Sequence, residues 1–209
     1  LTVLKELLRM LPECGFVYLG DTARTPYGSK SPETVQRYAR EDAEFLVRRG
    51  ARMIVIACNT ASALAARELA IAFPRIPVIE VVMPAIDSAC TATRSGAIGV
   101  IGTRATIVSG VYEREFTRRL PTIRVVSQAC PLLVPLVEEG WLDRPETRSI
   151  LHEYLASIRA ANIDALVLGC THYPLLESAI RAEVGDGVTI INPARATADR
   201  VRSRIDRDS

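Results

Sequence analysis

Two stretches, "ALVLGCTHYPLL" at residues 165–176 and "MIVIACNTASAL" at residues 53–64, share one design. An apolar run of strand length ends on a cysteine. Small polar residues follow, and then a helical pattern begins. A short run that is apolar throughout suits a strand covered on both faces, as in parallel sheets. In such sheets, ligands sit beyond the carboxyl ends of the strands. Cys58 and Cys170 both fall at that place.

Outward from these two units, helix and strand signals alternate along the whole chain. That argues an α/β fold with mainly parallel sheets. Strands are expected over 15–21, 52–57, 76–82, 96–102, 123–130, 163–169 and 187–193. Longer helices are expected over 1–11, 60–72, 103–120, 145–161 and 194–205. Another runs from Pro32, behind an N-cap at Ser31, to about Arg49, where Gly50 stops it. A further helix runs from Pro174 to near Gly185, with short helices at 83–93 and 131–140.

The repeated unit predicts two similar three-layer αβα domains related by a pseudo-twofold, with the site in the cleft between them. Domain one is expected to take residues 1–82 plus 191–209 and to carry Cys58. Domain two is expected to take residues 83–190 and to carry Cys170.

Composition narrows the function. The chain has 209 residues, 48% hydrophobic and 24% charged, with a formal net charge of +2. Nothing in that balance calls for a nucleic acid partner. The arginines are spread along helical faces, and Lys5 and Lys30 are the only lysines. Neither lysine follows a strand as a Schiff-base residue would, so pyridoxal phosphate is not expected. Five widely spaced cysteines without a C-x-x-C pair fit a reducing, cytoplasmic setting better than a disulfide framework. Two histidines and no C-x-x-C do not make a zinc set. No apolar run reaches the roughly 20 residues of a spanning helix.

A cysteine after an apolar run is by itself an ordinary small core residue. Two in matched contexts argue more. Each precedes a helix N-terminus, whose free N–H groups favour a thiolate, and a lowered pKa is expected for both thiols. His172, two residues past Cys170, is placed to tune that thiol. Asn59, Thr60 and Thr171 add short polar groups beside the sulfurs. Two opposed acid/base thiols suit one reaction: one removes a proton from a carbon, the other delivers one to the opposite face, and a stereocentre inverts. A thiol hydrolase using one cysteine with His172, or a binding module that keeps the cleft without the chemistry, stay open. Cys14, Cys90 and Cys130 sit in no repeated context and read as packing residues. His152 reads as exposed, and Trp141 as a packed loop aromatic.

"LTVLKELL", "GDTARTPYG", "ACNTASA", "VIGTRATIVSGVYE", "QACPLLVPLVEEG" and "LGCTHYPLL" together resemble the cofactor-independent glutamate racemases of the aspartate/glutamate racemase superfamily. The resemblance covers nearly the whole chain. It implies interconversion of L- and D-glutamate without cofactor or metal, supplying D-glutamate for peptidoglycan. It implies Cys58 and Cys170 as the two acid/base groups, Cys58 acting on D-glutamate and Cys170 on L-glutamate. Asn59 with Thr60, Thr171 with His172, and Tyr27 with Gly28 match substrate-binding pairs. Asp21, Glu138 and His172 match residues that assist proton transfer, and Thr103 is a further contact. The partner is the small-molecule substrate, with no membrane or nucleic acid required and a homodimer left open. A racemase of another amino acid, such as aspartate, is the alternative within this reading. The family carries an Asp-Ser-Gly-x-Gly-Gly segment ahead of the part matching "LTVLKEL". This sequence opens after it, without Met, and the natural N-terminus is expected upstream.

Overall fold

The computed structural model describes residues 1–208; Ser209, the last residue of the expected first domain, lies outside them. In chain order the helices and strands are α1 Thr2–Met10, α2 Pro32–Arg48, β1 Ile54–Ile56, α3 Asn59–Ala72, β2 Val78–Glu80, α4 Val82–Ala92, β3 Ala97–Gly102, α5 Arg104–Val108 and α6 Val111–Arg119. They continue as β4 Arg124–Ala129, α7 Leu133–Glu138, α8 Pro145–Tyr154, α9 Ala156–Ala160, β5 Ala165–Gly169, α10 Glu177–Val184, β6 Thr189–Ile191 and α11 Pro193–Asp208. Two 3₁₀ turns, Tyr27–Ser29 and Tyr173–Leu176, complete the set among the described residues.

Both sheets are parallel. β1 pairs with β2, Ile54 opposite Val78. The second sheet has the order β4-β3-β5-β6. In it Ile98 lies opposite both Val125 and Ala165, and Leu166 lies opposite Ile190. Every residue of β3 and β5 is buried, so each strand has apolar contacts on both sides. Side chains alternate between faces along a strand. On β5, Ala165 and Val167 therefore pack with Ile86 of α4 and Phe116 of α6. Leu166 and Leu168 pack on the opposite side with Leu151 of α8, Ile158 of α9 and Ile180 of α10.

The first sheet follows the same rule. Ile54 and Ile56 pack with Val35 and Ala39 of α2 and with Ala65 and Leu69 of α3. Val55 turns to the other side, where Val3 and Leu7 of α1 meet Ala198 and Val201 of α11. The result is two similar three-layer α/β halves. After β6 the chain returns to the first half, where α11 packs on α1, α4 and β2.

Local chemistry explains the helix boundaries. Ser31 accepts a hydrogen bond from the Thr34 N–H at 3.3 Å, and Pro32 occupies the first helical position. Gly50, at φ +88°, takes the left-handed turn that ends α2.

Several expectations need correction. Residues 15–21 form no strand; Val17 and Tyr18 are more than half exposed. An extended run becomes a strand only beside a ladder partner, and no described strand pairs with this one. The single helix expected over 103–120 is two helices, because Gly110 sits at φ +64° between them. The helix expected over 145–161 also divides, at Leu155. The helix expected from Pro174 opens instead as a 3₁₀ turn and becomes α-helical only at Glu177.

Candidate active site

β1 and β5 each end on a thiol-bearing turn. Cys58 caps α3 in extended conformation, and Cys170 follows β5 directly. The two turns are built alike. The backbone N–H groups of Ala61 and Thr60, with the Thr60 hydroxyl, are directed at Cys58. The backbone N–H groups of His172 and Tyr173 are directed at Cys170.

The thiols are not depressed, contrary to the expectation from helix termini. Burial raises the Cys58 pKa, and the N–H groups offset it only in part. Burial likewise pushes Cys170 up to about 12; the His172 N–H opposes it, and a charge on Cys58 reinforces it. Desolvation of a thiolate outweighs two hydrogen-bond donors here. Both cysteines are therefore thiols at neutral pH in the free protein. The mutual effect also means that ionising one sulfur disfavours ionising the other.

Both cysteines border one cleft of about 2200 Å³. Asn59, Thr60, Thr103, Thr171, His172 and Glu138 all border it. Asp21, Tyr27 and Gly28 line it as well. Every residue expected at the site from the sequence thus borders a common space.

His172 links Cys170 to α7. Its Nε2 lies 2.5 Å from Glu138 Oε1, and its Nδ1 lies 3.7 Å from the Cys170 sulfur. Cys58 has no such imidazole; its polar neighbour is the Thr60 hydroxyl. That hydroxyl lies 2.9 Å from the hydroxyl of Thr103, the N-cap of α5, and 3.3 Å from that of Thr106. Thr103 and Thr106 close the ring at 3.0 Å.

The loop bearing Tyr27 and Gly28 is anchored by charge. The Tyr27 hydroxyl donates to Asp21 and lies 3.2 Å from Asp42. Arg24 bonds Asp21 and Asp42, each at 2.7 Å, and also Glu41. Its guanidinium lies 4.3 Å from the Tyr38 ring centroid. Burial works against the Asp21 carboxylate, but Arg24 and Tyr27 outweigh it and hold its pKa below the usual range. Burial and the Asp21 hydrogen bond push the Tyr27 phenol far up. Asp21 is thus an ionised anchor of this loop. Gly28 is required sterically: a Cβ there would come within 2.7 Å of the Thr103 Cβ.

Arg24, Asp42 and Thr106 were not visible as site elements in the sequence, because each acts through a partner distant along the chain. Of the remaining candidates, Cys130 is fully buried, while Cys14 and Cys90 are half-buried. His152 is exposed and pairs with Glu183 at 3.0 Å. Trp141 is 42% exposed, less packed than expected, with Arg144 over its ring.

Residues 3–201 match the Asp/Glu/Hydantoin racemase family model. The chain belongs to this racemase family.

This racemase is 50% identical over 198 residues to the glutamate racemase of Geobacter metallireducens, covering 95% of the chain and 73% of the relative. The glutamate racemase isoform RacE1 of Bacillus anthracis superposes on it with a TM-score of 0.96 at 40% identity, covering 100% of this chain and 78% of the other. The Francisella tularensis glutamate racemase in complex with D-glutamate does so with a TM-score of 0.94 at 35% identity, covering 99% and 77%. The racemase is an isomerase with the parallel α/β halves of these structures.

Proposed function

We propose that this racemase interconverts L- and D-glutamate by a two-base mechanism in which Cys58 and Cys170 face opposite sides of the substrate α-carbon. The observation that carries the reading is the pair of matched thiol turns on one cleft, each sulfur met by two backbone N–H groups. The relatives named glutamate racemase, one of them crystallised with D-glutamate, support the choice of substrate.

The chemistry follows from the electrostatics. One sulfur takes the α-proton as a thiolate while the other gives its proton as a thiol. Coupling between the sulfurs favours that singly ionised pair over a doubly ionised one. The ammonium group of the substrate brings a positive charge into the site, which lowers the cost of the thiolate. His172, backed by Glu138, positions Cys170 and takes part in its proton exchange. The Thr60, Thr103 and Thr171 hydroxyls hold the carboxylates. The Tyr27–Gly28 loop, held by Asp21, forms the end wall. The division into a first domain of 1–82 with the chain beyond 191, and a second of 83–190, is proposed with this site between them. The reading needs no cofactor, and its product suits cytoplasmic supply of D-glutamate for peptidoglycan. Among the described residues no helix is long and apolar enough to cross a membrane.

The test is incubation with L-glutamate in D₂O, followed by circular dichroism and mass spectrometry. Loss of optical signal with one α-deuterium incorporated is expected. Loss of signal with L-aspartate and not with L-glutamate would reassign the substrate. Binding of glutamate without exchange would leave a binding module.

A further inference from the structure

Among the described residues, one buried side-chain nitrogen or oxygen lacks a hydrogen-bond partner: Nδ2 of Asn59. Asn59 is 2% exposed, follows Cys58, and borders the cleft. A buried amide donor without an acceptor destabilises the fold unless something supplies one. The cleft that Asn59 borders is where such an acceptor can enter.

The other end of the same carboxamide is held. The Tyr112 hydroxyl donates to Asn59 Oδ1 at 2.7 Å. Tyr112 is 1% exposed on α6 and does not border the cleft. Burial pushes its phenol well above the usual range and keeps it protonated, and therefore a donor. Its ring lies beside Gly169, the last residue of β5, where an added Cβ would come within 3.3 Å of the ring. Tyr112 thus reaches from the residue before Cys170 to the residue after Cys58. The left-handed Gly110 that starts α6 sets the direction of the helix bearing it.

We propose that Tyr112 is a positioning residue of the racemisation site: by engaging the Asn59 oxygen it orients the carboxamide so that Nδ2 donates to a carboxylate of the substrate. Reversed, the amide would present its oxygen to that carboxylate and repel it. The inference rests on the glutamate reading above, since it names the group that Nδ2 meets.

A double-mutant cycle tests it. Wild type, Tyr112→Phe, Asn59→Ala and the double variant are compared in KM and kcat with both glutamate enantiomers, and in Tm. Tyr112→Phe is expected to raise KM about fivefold to tenfold, the worth of one hydrogen bond, with kcat changed far less. In the Asn59→Ala background the same change should leave KM unaltered within about twofold. Effects on KM that multiply, or an unchanged KM in Tyr112→Phe, would overturn the proposal. Should Tyr112→Phe fail to fold, Asn59→Asp keeps the acceptor for Tyr112 but replaces Nδ2 by oxygen. It should bind D-glutamate at least about tenfold more weakly by calorimetry with Tm retained; wild-type affinity overturns the proposal. Absence of racemisation by a wild type that still binds D-glutamate would refute the two-base reading instead. The cycle is then read on Kd, where the same pattern supports or sinks the role of Tyr112.

Discussion

Glu138 Oε1 lies 2.5 Å from His172 Nε2, and the far nitrogen of that ring lies 3.7 Å from the Cys170 sulfur. The Glu138 side chain is 65% exposed, so the pair adds little to stability. Its value is in orienting the imidazole. Glu138→Gln is expected to lower kcat by about tenfold to a hundredfold while leaving Tm within about 1 °C. The equilibrium constant between enantiomers is unity, so kcat/KM must fall equally in both directions. The asymmetry appears in the α-deuterium isotope effect, which should grow more for L-glutamate, the enantiomer assigned to Cys170. Equal growth for both enantiomers would detach Glu138 from that thiol.

Cys58→Ala and Cys170→Ala should each reduce racemisation by about 10²–10⁴-fold or more, because inversion needs a base on both faces. Elimination of HX from a suitable substrate analogue needs one base only. Each variant should retain it in one enantiomeric series. Near wild-type racemisation by either variant would rule out the two-thiol scheme.

The raised thiol pKa values set a pH signature. With Cys170 pushed up to about 12, its thiolate fraction in the free protein is small at pH 7. That fraction grows about tenfold for each pH unit below the pKa. Iodoacetamide labelling of the substrate-free protein, read by peptide mass spectrometry, should therefore climb steeply from pH 7 to 10 at Cys170. A rate already on a plateau by pH 8 would mean an ionised resting thiol and a failed account of its burial.

Gly28 and Thr103 give a steric test. Gly28→Ala places a methyl within 2.7 Å of the Thr103 Cβ, closer than two carbons tolerate. The loop must retreat, and KM should rise at least about tenfold, with kcat also lowered as the cleft end opens. Unchanged kinetics would show that this loop does not bound the substrate.

Asp164 supplies a stability test away from the cleft. Burial works to raise its pKa. The Thr93 hydroxyl and the Ser95 and Arg94 N–H groups win, lowering it to about 2. A depressed folded-state pKa means that the stabilisation is complete above the unfolded value of 3.8 and is lost as pH falls towards 2. Asp164→Asn should lower the unfolding free energy, read from urea titration at pH 7, by on the order of 1 kcal/mol. The difference from wild type should shrink between pH 4 and pH 2. A constant difference across that range would assign the loss to geometry and not to charge.

What the sequence made legible was local. The Ser31–Pro32 start, the alternation of strands and helices, and the two cysteine turns depend on residues within a few positions of one another. The strand misassigned at 15–21 failed because pairing is a property of a neighbour, which no local pattern in "GFVYLGD" reveals. Arg24 read as one arginine among many until α2 brought Asp42 to it, 18 residues away. Nothing in the sequence set Tyr112 apart; its hydroxyl acquires meaning only when folding brings Asn59, 53 residues away, to it. The sign of the thiol shifts was misjudged for the same reason. Helix ends are visible in a sequence, whereas the depth at which a sulfur is buried is a sum over both halves.

The alternation along β1 and β5 has a further consequence, one of arithmetic parity. Cys58 shares even numbering with Ile54 and Ile56, and packs among their neighbours on the α2–α3 side. Cys170 stands in the same relation to Leu166 and Leu168, on the α8–α10 side. Each thiol is thus the last tooth of an every-other-residue comb that the core already grips. Deleting one residue within either strand would turn its sulfur to the opposite face. Deleting two would keep the face but withdraw the sulfur by about 6.6 Å. The cleft can absorb insertions in its loops, but the strands beneath both thiols admit none of either kind.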